Sequence, residues 1–400
     1  MTELPLTAHG SWIELSEPAL AANIRFFRRL LGRHVILSSV IKGNAYGHGI
    51  TAFVPMAERC GIRHFSAFSA AEADQVLRCC RPDTAVMIMG HLPDEAVCWA
   101  VDRGVSFWVF DLARLDRAIR AARTVGRPAR VHLELETGLN RTGFSGRSLP
   151  HVIKRIRSAP ESIDVEGACT HFAGAESIGN HVRIESQIAH FQRRLEDLVD
   201  NGIHPRLRHA ACSAAALNYP ETRMDLVRLG IAQYGFWPTA EARMRFWMSR
   251  KSRSRRDPLK RVISWKSRVM SLKSVRPGDF VGYGISHQAV RREHLAAVPV
   301  GYYHGFSRSL SNLGYVLVKG ERAPVRGLVN MNMILVDVSD ISGVRRGSEV
   351  VIIGRQGETE ISIASFAEMT NYLNYEVLVR IPNELPRIVS QGLDSPYEMP

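Results

Sequence analysis

The sequence lacks the features that mark membrane and exported proteins. Its 400 residues contain no uncharged apolar run of about 18 residues, the length that a membrane-spanning helix needs. Its first residues, MTELPLTAHGSW, have neither the basic segment nor the apolar segment of a secretory signal. We therefore expect a cytoplasmic protein with no membrane partner.

Paired cysteines are also missing. The six cysteines show no CxxC spacing, and all but Cys212 lie within or beside apolar runs, where reduced thiols are usually buried. We therefore expect reduced thiols and no zinc or other metal site.

Acidic residues are few, 39 against 52 Lys and Arg, which gives a net charge of +13. The segment SRKSRSRRDPLKR, residues 249–261, carries seven Lys or Arg against one Asp, about half of the excess. Because no aromatic residues alternate with basic ones elsewhere, as they do in many nucleic-acid binders, we interpret the segment as a solvated linker. A nucleic-acid partner is not expected, and an acidic partner for this segment is the alternative.

Alternating strand and helix patterns dominate the first half of the chain. With 45% hydrophobic and 23% charged residues, the composition is that of a soluble globular protein, and the length favours two domains. From residue 35 to about 232, short apolar runs alternate with amphipathic stretches of helical spacing. The eight runs are HVILSSVI, RHFSAFS, TAVMIMG, VSFWVF, RVHLELE, IDVEGACTH, LRHAACS and LVRLGIA. They predict a TIM-like (β/α)8 barrel over residues 11–248, although a doubly wound open sheet has the same local pattern.

The pattern changes after the basic linker, where strands follow one another without long helices between them. They are VISWKSRVMSLKSV, HLAAVPVGYY, GYVLVKG, PVRGLVNM, ILVDVSD and SEVVIIG, with one predicted helix, ISIASFAEMTNYL, near the end. We expect a mostly β domain over residues 262–390. The opening segment WIELSEPALAANIRFFRRLLG predicts a strand and a helix that begins near Ser16, and this first strand could pair outside the barrel.

One lysine needs an explanation of its own. In SVIKGNAYGHG, residues 39–49, Lys42 ends an apolar strand, and residues just beyond the carboxyl ends of barrel strands form the active face. Such a lysine can reach from a strand end to water. It can also be an amine whose burial lowers its pKa and leaves it nucleophilic. The strand by itself leaves both interpretations open.

The segment KGNAYGHG closely resembles the pyridoxal phosphate lysine motif of the alanine racemase family. Further segments resemble the family in order and spacing, namely ETGLNRTGF (136–144), THFAGAES (170–177), HAACSAAALNYP (209–220), VRLGIAQYG (227–235), VGYGISHQA (281–289), VPVGYYHGF (298–306) and NYEV (374–377). The resemblance spans roughly residues 11 to 390. It implies a fold-type III enzyme with pyridoxal 5'-phosphate as cofactor and an amino acid as substrate. It also implies a homodimer with shared active sites.

The resemblance assigns residues to the cofactor. Lys42 would hold it covalently, and Arg228 would face its ring nitrogen as a donor that cannot protonate it further. A neutral ring is a weaker electron sink, which favours simple proton exchange at Cα over side reactions. The phosphate would be held after the last two barrel strands, where barrels commonly bind phosphate. The residues implied there are Ser213, Gly230 and Ile231, together with the hydroxyls of Tyr46 and Tyr375.

The resemblance also assigns the chemistry. Racemisation requires a base on each face of the substrate, and these would be Lys42 and Tyr283 of the partner subunit, with His171 as helper because a tyrosine is a weak base at neutral pH. Arg141 would meet the substrate carboxylate and the cofactor phenolic oxygen. The backbone N–H of Met331 would meet the same carboxylate from the second subunit, where Tyr302 also contributes to substrate binding.

Three departures from the family pattern lie near this site. Glu134 stands where many members carry a carbamylated lysine, and we expect it to orient Arg141 directly, the alternative being an ordinary solvated glutamate. Leu328, Asn330 and Asn332 stand where the family pattern has Arg, Cys and Asp, so charge is lost from the entrance, and the segment Gly301–Gly305 reads GYYHG. The Met331–Asn332 pair resembles the broad-spectrum amino-acid racemases, so the range of substrates could extend beyond alanine.

Two other functions stay open from the sequence. The same scaffold supports a decarboxylase or an aldolase, in which a different bond at Cα is broken. A non-catalytic cofactor-binding protein, with the basic segment against an acidic partner, is the other alternative. Tyr283 favours the racemase over both.

Overall fold

The computed structural model describes residues 9–249, 257–364, 366 and 373–391. Within them the chain forms two compact units. The first, here called the barrel unit, comprises 19–42 and 54–260, and the second, the β unit, comprises the segments up to residue 18, 43–53 and from 261 onward. The domain limits expected from the sequence, 11–248 and 262–390, stay predictions.

The strands and helices follow one another along the chain as follows. The strands are β1 (Ser11–Ser16), β2 (Ile36–Val40), β3 (His64–Ser69), β4 (Ala85–His91), β5 (Ser106–Val109), β6 (Ala129–Glu134), β7 (Ile163–Cys169), β8 (Leu207–His209), β9 (Leu226–Leu229), β10 (Ile263–Arg268), β11 (Ser271–Val275), β12 (Glu293–Val298), β13 (Tyr315–Val318), β14 (Glu321–Pro324), β15 (Ile334–Asp337), β16 (Glu349–Gln356), β17 (Thr359–Ile361) and β18 (Arg387–Ser390). The α-helices are α1 (Glu17–Leu31), α2 (Ile50–Arg59), α3 (Ala70–Cys79), α4 (Asp94–Asp102), α5 (Leu112–Val125), α6 (Leu149–Arg157), α7 (His181–Asp200), α8 (Ser213–Asn218), α9 (Ala240–Ser249) and α10 (Asn374–Val379).

Strands β2 to β9 form a parallel eight-stranded sheet in the order β8-β7-β6-β5-β4-β3-β2-β9. Its two edge strands meet, because the Arg228 amide donates to the Ala211 carbonyl at 3.0 Å and a parallel bridge joins Cys212 to Arg228. The barrel is therefore nearly closed. This confirms the predicted barrel and decides against an open doubly wound sheet. The eight apolar runs coincide with β2 to β9.

Local sequence signals fix the passage from strand to helix in the barrel. Ser69 ends β3 and caps α3, accepting a hydrogen bond from the Glu72 amide at 3.3 Å. Asp111 caps α5 in the same way through the Arg114 amide at 2.7 Å. Gly126 follows the last residue of α5 as its C-cap, and its φ of +77° favours glycine. These short connections place the strand ends on one face of the barrel.

The barrel strands carry buried polar side chains. Ser38 Oγ lies 2.5 Å from Ser66 Oγ and 2.8 Å from His64 Nδ1. His132 is fully buried on β6, and a Cβ on Gly167 would approach its Nδ1 to 2.2 Å. Gly167 thus leaves the space that the His132 ring occupies. Because buried polar groups need hydrogen-bond partners, these side chains fix specific neighbours.

The β unit contains two sheets. One has the strand order β14-β13-β16-β10-β1-β18, with β17 paired to β16, and the other has the order β11-β12-β15. Strand β1 pairs antiparallel with β10 and parallel with β18. The first strand of the chain therefore pairs outside the barrel, as its sequence position allowed, and the mostly β character predicted for this region is confirmed.

One predicted strand is wrong in its position. PVRGLVNM was expected to be a strand over 324–331, whereas β14 ends at Pro324 and residues 325–331 contribute an isolated bridge between Val325 and Val336. Pro324 has no amide hydrogen for a ladder, and Gly327 adopts a φ of +78°, which turns the chain. Most of the predicted helix ISIASFAEMTNYL and of the basic segment 249–261 lies outside the described residues.

The described part of the chain holds no helix with both the length and the apolar character needed to cross a bilayer. Within the same residues, no group of three or more His, Cys, Asp or Glu side chains is arranged to hold a metal. The six cysteines all lie among the described residues, and none of them forms a disulfide bond.

Candidate active site

Lys42 follows β2 and begins a left-handed helical turn, Lys42–Tyr46. The φ angles of Gly43, Asn44, Ala45 and Tyr46 are +63°, +52°, +55° and +51°. For a residue with a Cβ this conformation costs roughly 1–2 kcal/mol. Such strain persists where the surroundings impose it, commonly at functional sites. The turn therefore singles out this stretch independently of its sequence motif.

Contacts within the β unit hold the residues after the lysine in this shape. Asn44 donates from Nδ2 to Asn383 Oδ1 at 2.6 Å, and its Oδ1 accepts the Ile50 amide at 2.8 Å. A Cβ on Gly47 would lie 2.0 Å from the Leu378 carbonyl oxygen. Only glycine fits at this position, which also has a φ of +77°.

The amine of Lys42 lies where its positive charge is disfavoured. Burial among the surrounding protein atoms is the main cause that lowers its pKa, and the charge of Arg141 is the next. The side chain as a whole nevertheless keeps solvent access in the single chain. Its lowered pKa and its accessibility together leave it open to a ligand.

Arg228 on β9 is a buried cation whose N–H groups are almost all engaged. Nη1 donates to His209 Nδ1 at 2.6 Å and to the His209 carbonyl at 2.9 Å. Nη2 donates to the carbonyls of Thr170 at 2.7 Å and Ala210 at 3.0 Å. Burial lowers the pKa of the guanidinium, yet arginine stays charged in proteins. Among the described residues the Nε–H has no hydrogen-bond partner and is the donor left for a ligand.

Arg141 and Glu134 lie near one another but not in tight contact. Arg141 Nη2 is 3.9 Å from Glu134 Oε1, and Glu134 Oε2 accepts a hydrogen bond from Thr142 Oγ1 at 2.7 Å. Glu134 is 2% exposed, which excludes the solvated glutamate that the sequence left as an alternative. Burial raises the pKa of Glu134, and the Thr142 hydrogen bond and the Arg141 charge oppose that rise. Thr142 therefore orients the carboxylate that faces Arg141.

His171 follows β7 in the barrel unit. Burial lowers the pKa of His171 to about 3, and the nearby charges of Arg228, Arg141 and Lys42 contribute in that order. Its imidazole is consequently neutral at physiological pH and can accept one hydrogen bond and donate another. The neutral form of His171 is therefore the one available as a helper.

Ser213 begins α8 and receives two backbone hydrogens. Its Oγ accepts from the Gly230 amide at 2.9 Å and from the Ala232 amide at 3.4 Å. Ile231 lies between these two donors, at the start of the short 3-10 turn Ile231–Tyr234. The hydroxyl of Ser213 therefore holds the start of α8 against the backbone that follows β9.

The remaining predicted site residues belong to the β unit. The rings of Tyr46 and Tyr375 have centroids 6.0 Å apart. Tyr283 stands at a loop tip between Gly282 and Gly284, whose φ angles are +74° and +67°, and is 72% exposed. The loop is closed by the Val281 amide, which donates to the His287 carbonyl at 3.0 Å, and by a hydrogen bond between His287 Nε2 and Glu293 Oε2 at 3.0 Å.

Tyr302 and Met331 are brought together by backbone hydrogen bonds. The Tyr302 amide donates to the Asn330 carbonyl at 3.0 Å, and the Tyr303 amide donates to the Met331 carbonyl at 2.9 Å. Tyr302 is 41% and Met331 55% exposed in the single chain. These two segments thus form one exposed edge of the β unit.

The predicted site residues therefore fall into two groups, one in the barrel unit and one in the β unit. The charges of Arg141 and Arg228 lower the pKa of Lys42, and these two charges and that of Lys42 lower the pKa of His171, so the four side chains lie close together. Thr142 and the buried His209 belong to the same surroundings and were missed from the sequence. For His209 a signal existed, since LRHAACS places a histidine in an otherwise apolar strand.

Fold and site together define a class of protein: enzymes on a parallel (β/α)8 barrel that hold a small ligand where the strands end. Residues 15–238 match the family "Alanine racemase, N-terminal domain", and residues 262–389 match "Alanine racemase, C-terminal domain". The chain belongs to the alanine racemase family. This confirms the resemblance noted in the sequence and the isomerase class that it implied.

Individual relatives agree over nearly the whole chain. The alanine racemase of Leptospira interrogans is 33% identical over 381 residues, which cover 95% of this chain and 96% of the relative. The crystal structure of alanine racemase from D-cycloserine-producing Streptomyces lavendulae has a TM-score of 0.85 and 29% identity, covering 98% of this chain and 99% of that one. Alanine racemase from Bartonella henselae, with covalently bound pyridoxal phosphate, has a TM-score of 0.80 and covers 96% of this chain and 100% of that one. At 23% identity, this last likeness establishes the fold alone.

Proposed function

We propose that the protein is a pyridoxal phosphate-dependent racemase that interconverts the L and D forms of alanine and of a wider set of amino acids. The observation that carries the proposal is the grouping of an accessible lysine, whose pKa is lowered, with a buried arginine whose Nε–H is left for a ligand. A decarboxylase, an aldolase and a non-catalytic binding protein find no support in the relatives that match the chain.

The residues present fit pyridoxal phosphate. Lys42 can hold an aldehyde, because its amine is less basic than that of a free lysine. The Arg228 Nε–H is a donor for a ring nitrogen that stays unprotonated. Ser213 and the amides of Gly230 and Ile231 suit a phosphate, with the hydroxyls of Tyr46 and Tyr375 as further donors. The cofactor, when bound, supplies an electron-withdrawing ring that acidifies the Cα–H of an attached amino acid.

The protein's own residues would move the proton. The Nζ of Lys42 takes or returns a proton on one face of Cα, and the Oη of Tyr283 from the partner subunit does so on the other. His171, which is neutral, positions that hydroxyl and shares its proton. Two bases on opposite faces invert the configuration, because the proton removed from one face is replaced from the other.

Substrate binding follows from the charges. Arg141 pairs with the substrate carboxylate and with the phenolic oxygen of the cofactor, and Glu134 orients Arg141. The backbone N–H of Met331 and the Tyr302 side chain complete the pocket from the second subunit. With Leu328, Asn330 and Asn332 at the entrance, side chains larger than a methyl group are admitted.

A homodimer completes this site. Several large apolar side chains of the β unit are exposed in the single chain, among them Phe280, Tyr283, Ile285, Val290 and Met331. An apolar surface of this kind is typical of an interface, and it surrounds the tyrosine that the other subunit requires. We also propose that the enzyme works in the cytoplasm.

Incubation of the purified protein with single amino acids in D₂O tests the function. We expect deuterium at Cα and formation of the D-enantiomer from L-alanine, detected by mass spectrometry and chiral chromatography. Turnover of alanine alone would restrict the range, whereas turnover of serine, lysine or arginine would extend it. Loss of the carboxylate carbon, or an absence of turnover by protein loaded with cofactor, would contradict the racemase.

A further inference from the structure

A chain of buried side chains leads from Arg228 through the interior of the barrel. Arg228 Nη1 lies 2.6 Å from His209 Nδ1, and His209 Nε2 lies 2.9 Å from His132 Nδ1. His132 Nε2 lies 3.5 Å from Glu166 Oε2. The two histidine side chains are fully buried, and that of Glu166 is 10% exposed. Chemistry at Arg228 is thus linked to a carboxylate three side chains away.

The donors in this chain can point in one direction only. A guanidinium has no acceptor, so His209 Nδ1 must accept and the His209 proton must lie on Nε2. That proton is donated to His132 Nδ1, which places the His132 proton on Nε2, facing Glu166. The reverse order would set an N–H of His209 against an N–H of Arg228 at 2.6 Å. Burial lowers the pKa of both histidines, so each carries a single ring proton.

Glu166 is held as the acceptor at the end of the chain. Its Oε1 accepts a hydrogen bond from Arg130 Nη2, and Arg130 Nη1 donates to the Gly104 carbonyl at 3.1 Å. Burial alone would raise the pKa of Glu166, but His132 and Arg130 lower it to about 2, so the carboxylate stays charged. Among the described residues, His132 Nε2 and Glu166 Oε2 have no other hydrogen-bond partner. Their 3.5 Å separation is long for a hydrogen bond, yet in the described part of the chain His132 Nε2 is a donor without another acceptor and Glu166 Oε2 is an acceptor without another donor.

We propose that Glu166 is a positioning residue that fixes the tautomers of His132 and His209 and thereby keeps an acceptor in front of Arg228. With His209 Nδ1 and three carbonyls as acceptors, four of the five N–H groups of Arg228 are held. The fifth, on Nε, is then aimed in a fixed direction. The part of the inference that concerns a ring nitrogen rests on the proposed function, whereas the tautomer order does not.

The substitution Glu166→Gln should reverse the direction of the hydrogen bonds between residue 166, His132 and His209. Its amide oxygen is taken by the charged donor Arg130, so its NH₂ group faces His132 Nε2, which must then accept. The proton of His132 moves to Nδ1, that of His209 moves to Nδ1 in turn, and Arg228 loses an acceptor. A matched control is Glu58→Gln, since Glu58 is also a buried carboxylate of the barrel unit but accepts from Thr84 and the Arg81 amide.

Nitrogen-15 NMR of the cofactor-loaded full chain, labelled at histidine, measures the ring tautomers. Spectra of His132→Gln and His209→Gln variants assign the two signals. We expect both histidines to be protonated at Nε2 in the parent and in Glu58→Gln, and at Nδ1 in Glu166→Gln. Parent tautomers other than Nε2–H, or unchanged tautomers in Glu166→Gln, would overturn the proposal.

Two further readouts separate positioning from general stability. In Glu166→Gln we expect kcat/KM for alanine to fall roughly 10- to 100-fold, the effect of one lost charge-assisted hydrogen bond, with a shifted absorbance maximum of the bound cofactor. Glu58→Gln should leave that maximum in place. If the parent and both variants turn over no amino acid but the tautomers behave as expected, the proposed function fails and the tautomer order stands. If the absorbance maximum moves equally in both variants, Glu166 has only a structural role and the positioning proposal is wrong.

Discussion

Arg228 and Glu134 are buried charged side chains, and the hydrogen bonds that burial requires of them determine what they can do. A charge in a barrel interior is costly unless it is hydrogen-bonded. Arg228 meets that requirement by donating four hydrogen bonds, and its Nε–H is left as a donor for a ligand. Glu134 meets it with Thr142, and its charge then acts on Arg141. Both residues could be singled out from the sequence, but Thr142 could not, because its hydroxyl is informative only once its neighbour is known.

Glu134 yields a prediction about substrate affinity. The substitution Glu134→Gln keeps an oxygen for Thr142 but removes the negative charge beside Arg141. We expect KM for alanine to rise about 3- to 10-fold with a smaller change in kcat, because an ion pair at this distance contributes about 1 kcal/mol. Steady-state kinetics at saturating cofactor measures this effect.

The variant Glu134→Lys provides the complementary test. If the glutamate replaces a carbamylated lysine, added bicarbonate should restore activity to Glu134→Lys and leave the parent unchanged. An unchanged KM in Glu134→Gln, together with no bicarbonate effect in Glu134→Lys, would show that this charge does not act on Arg141.

The left-handed turn Lys42–Tyr46 is the element that the sequence predicted least well. The motif located Lys42 after its strand, but Ala45 and Tyr46 have no intrinsic preference for positive φ that could have predicted the turn. Distant contacts impose it, such as Asn383 on Asn44. The eight barrel strands, by contrast, were predictable because each is a short apolar run between clear helix signals. Strand β14 was misplaced because Pro324 and Gly327 interrupt an apolar stretch.

The turn gives a stability prediction at Gly47. Gly47→Ala places a Cβ 2.0 Å from the Leu378 carbonyl oxygen, in a backbone conformation with positive φ. We expect a loss of at least about 3 kcal/mol in the free energy of unfolding, measured by urea denaturation. Gly32→Ala is the control, since Gly32 has a φ of +86° but no atom within 4 Å, and should cost about 1 kcal/mol. Equal losses in both variants would contradict the packing argument.

Acid sensitivity is expected of the protein as a whole. Burial lowers the pKa of His48 and of His64 to about 3, whereas both titrate near 6.5 when unfolded. Between these values the unfolded chain binds more protons, so stability is full above pH 6.5 and falls as the pH drops toward 3. Each group contributes about 1.4 kcal/mol per pH unit in this window.

Urea unfolding at pH 7.5, 5.5 and 5.0 measures the slope. We expect His48→Gln to reduce the slope by about 1.4 kcal/mol per pH unit, and the exposed His151→Gln to leave it as in the parent. A stability that is flat from pH 7 to 5 would show that these histidines are protonated in the folded state.

Subunit mixing tests whether the active sites are shared. Lys42→Ala and Tyr283→Phe should each lack racemase activity alone. Co-refolded in equal amounts, they should regain about a quarter of the parent activity, because half of the dimers are mixed and each mixed dimer has one intact site. No recovery, with mixed dimers present by native mass spectrometry, would place both bases in the same chain.

The two-base exchange at Cα is the central claim, and the isotope pattern of Tyr283→Phe tests it most directly. L-alanine and D-alanine are incubated separately in D₂O with the parent, with Tyr283→Phe and with the control Tyr315→Phe, and deuterium and configuration are followed together. The account predicts that the parent and the control convert both enantiomers to the same deuterated mixture, whereas Tyr283→Phe exchanges the Cα hydrogen of one enantiomer without inverting it. Racemisation by Tyr283→Phe at the parent rate would contradict it.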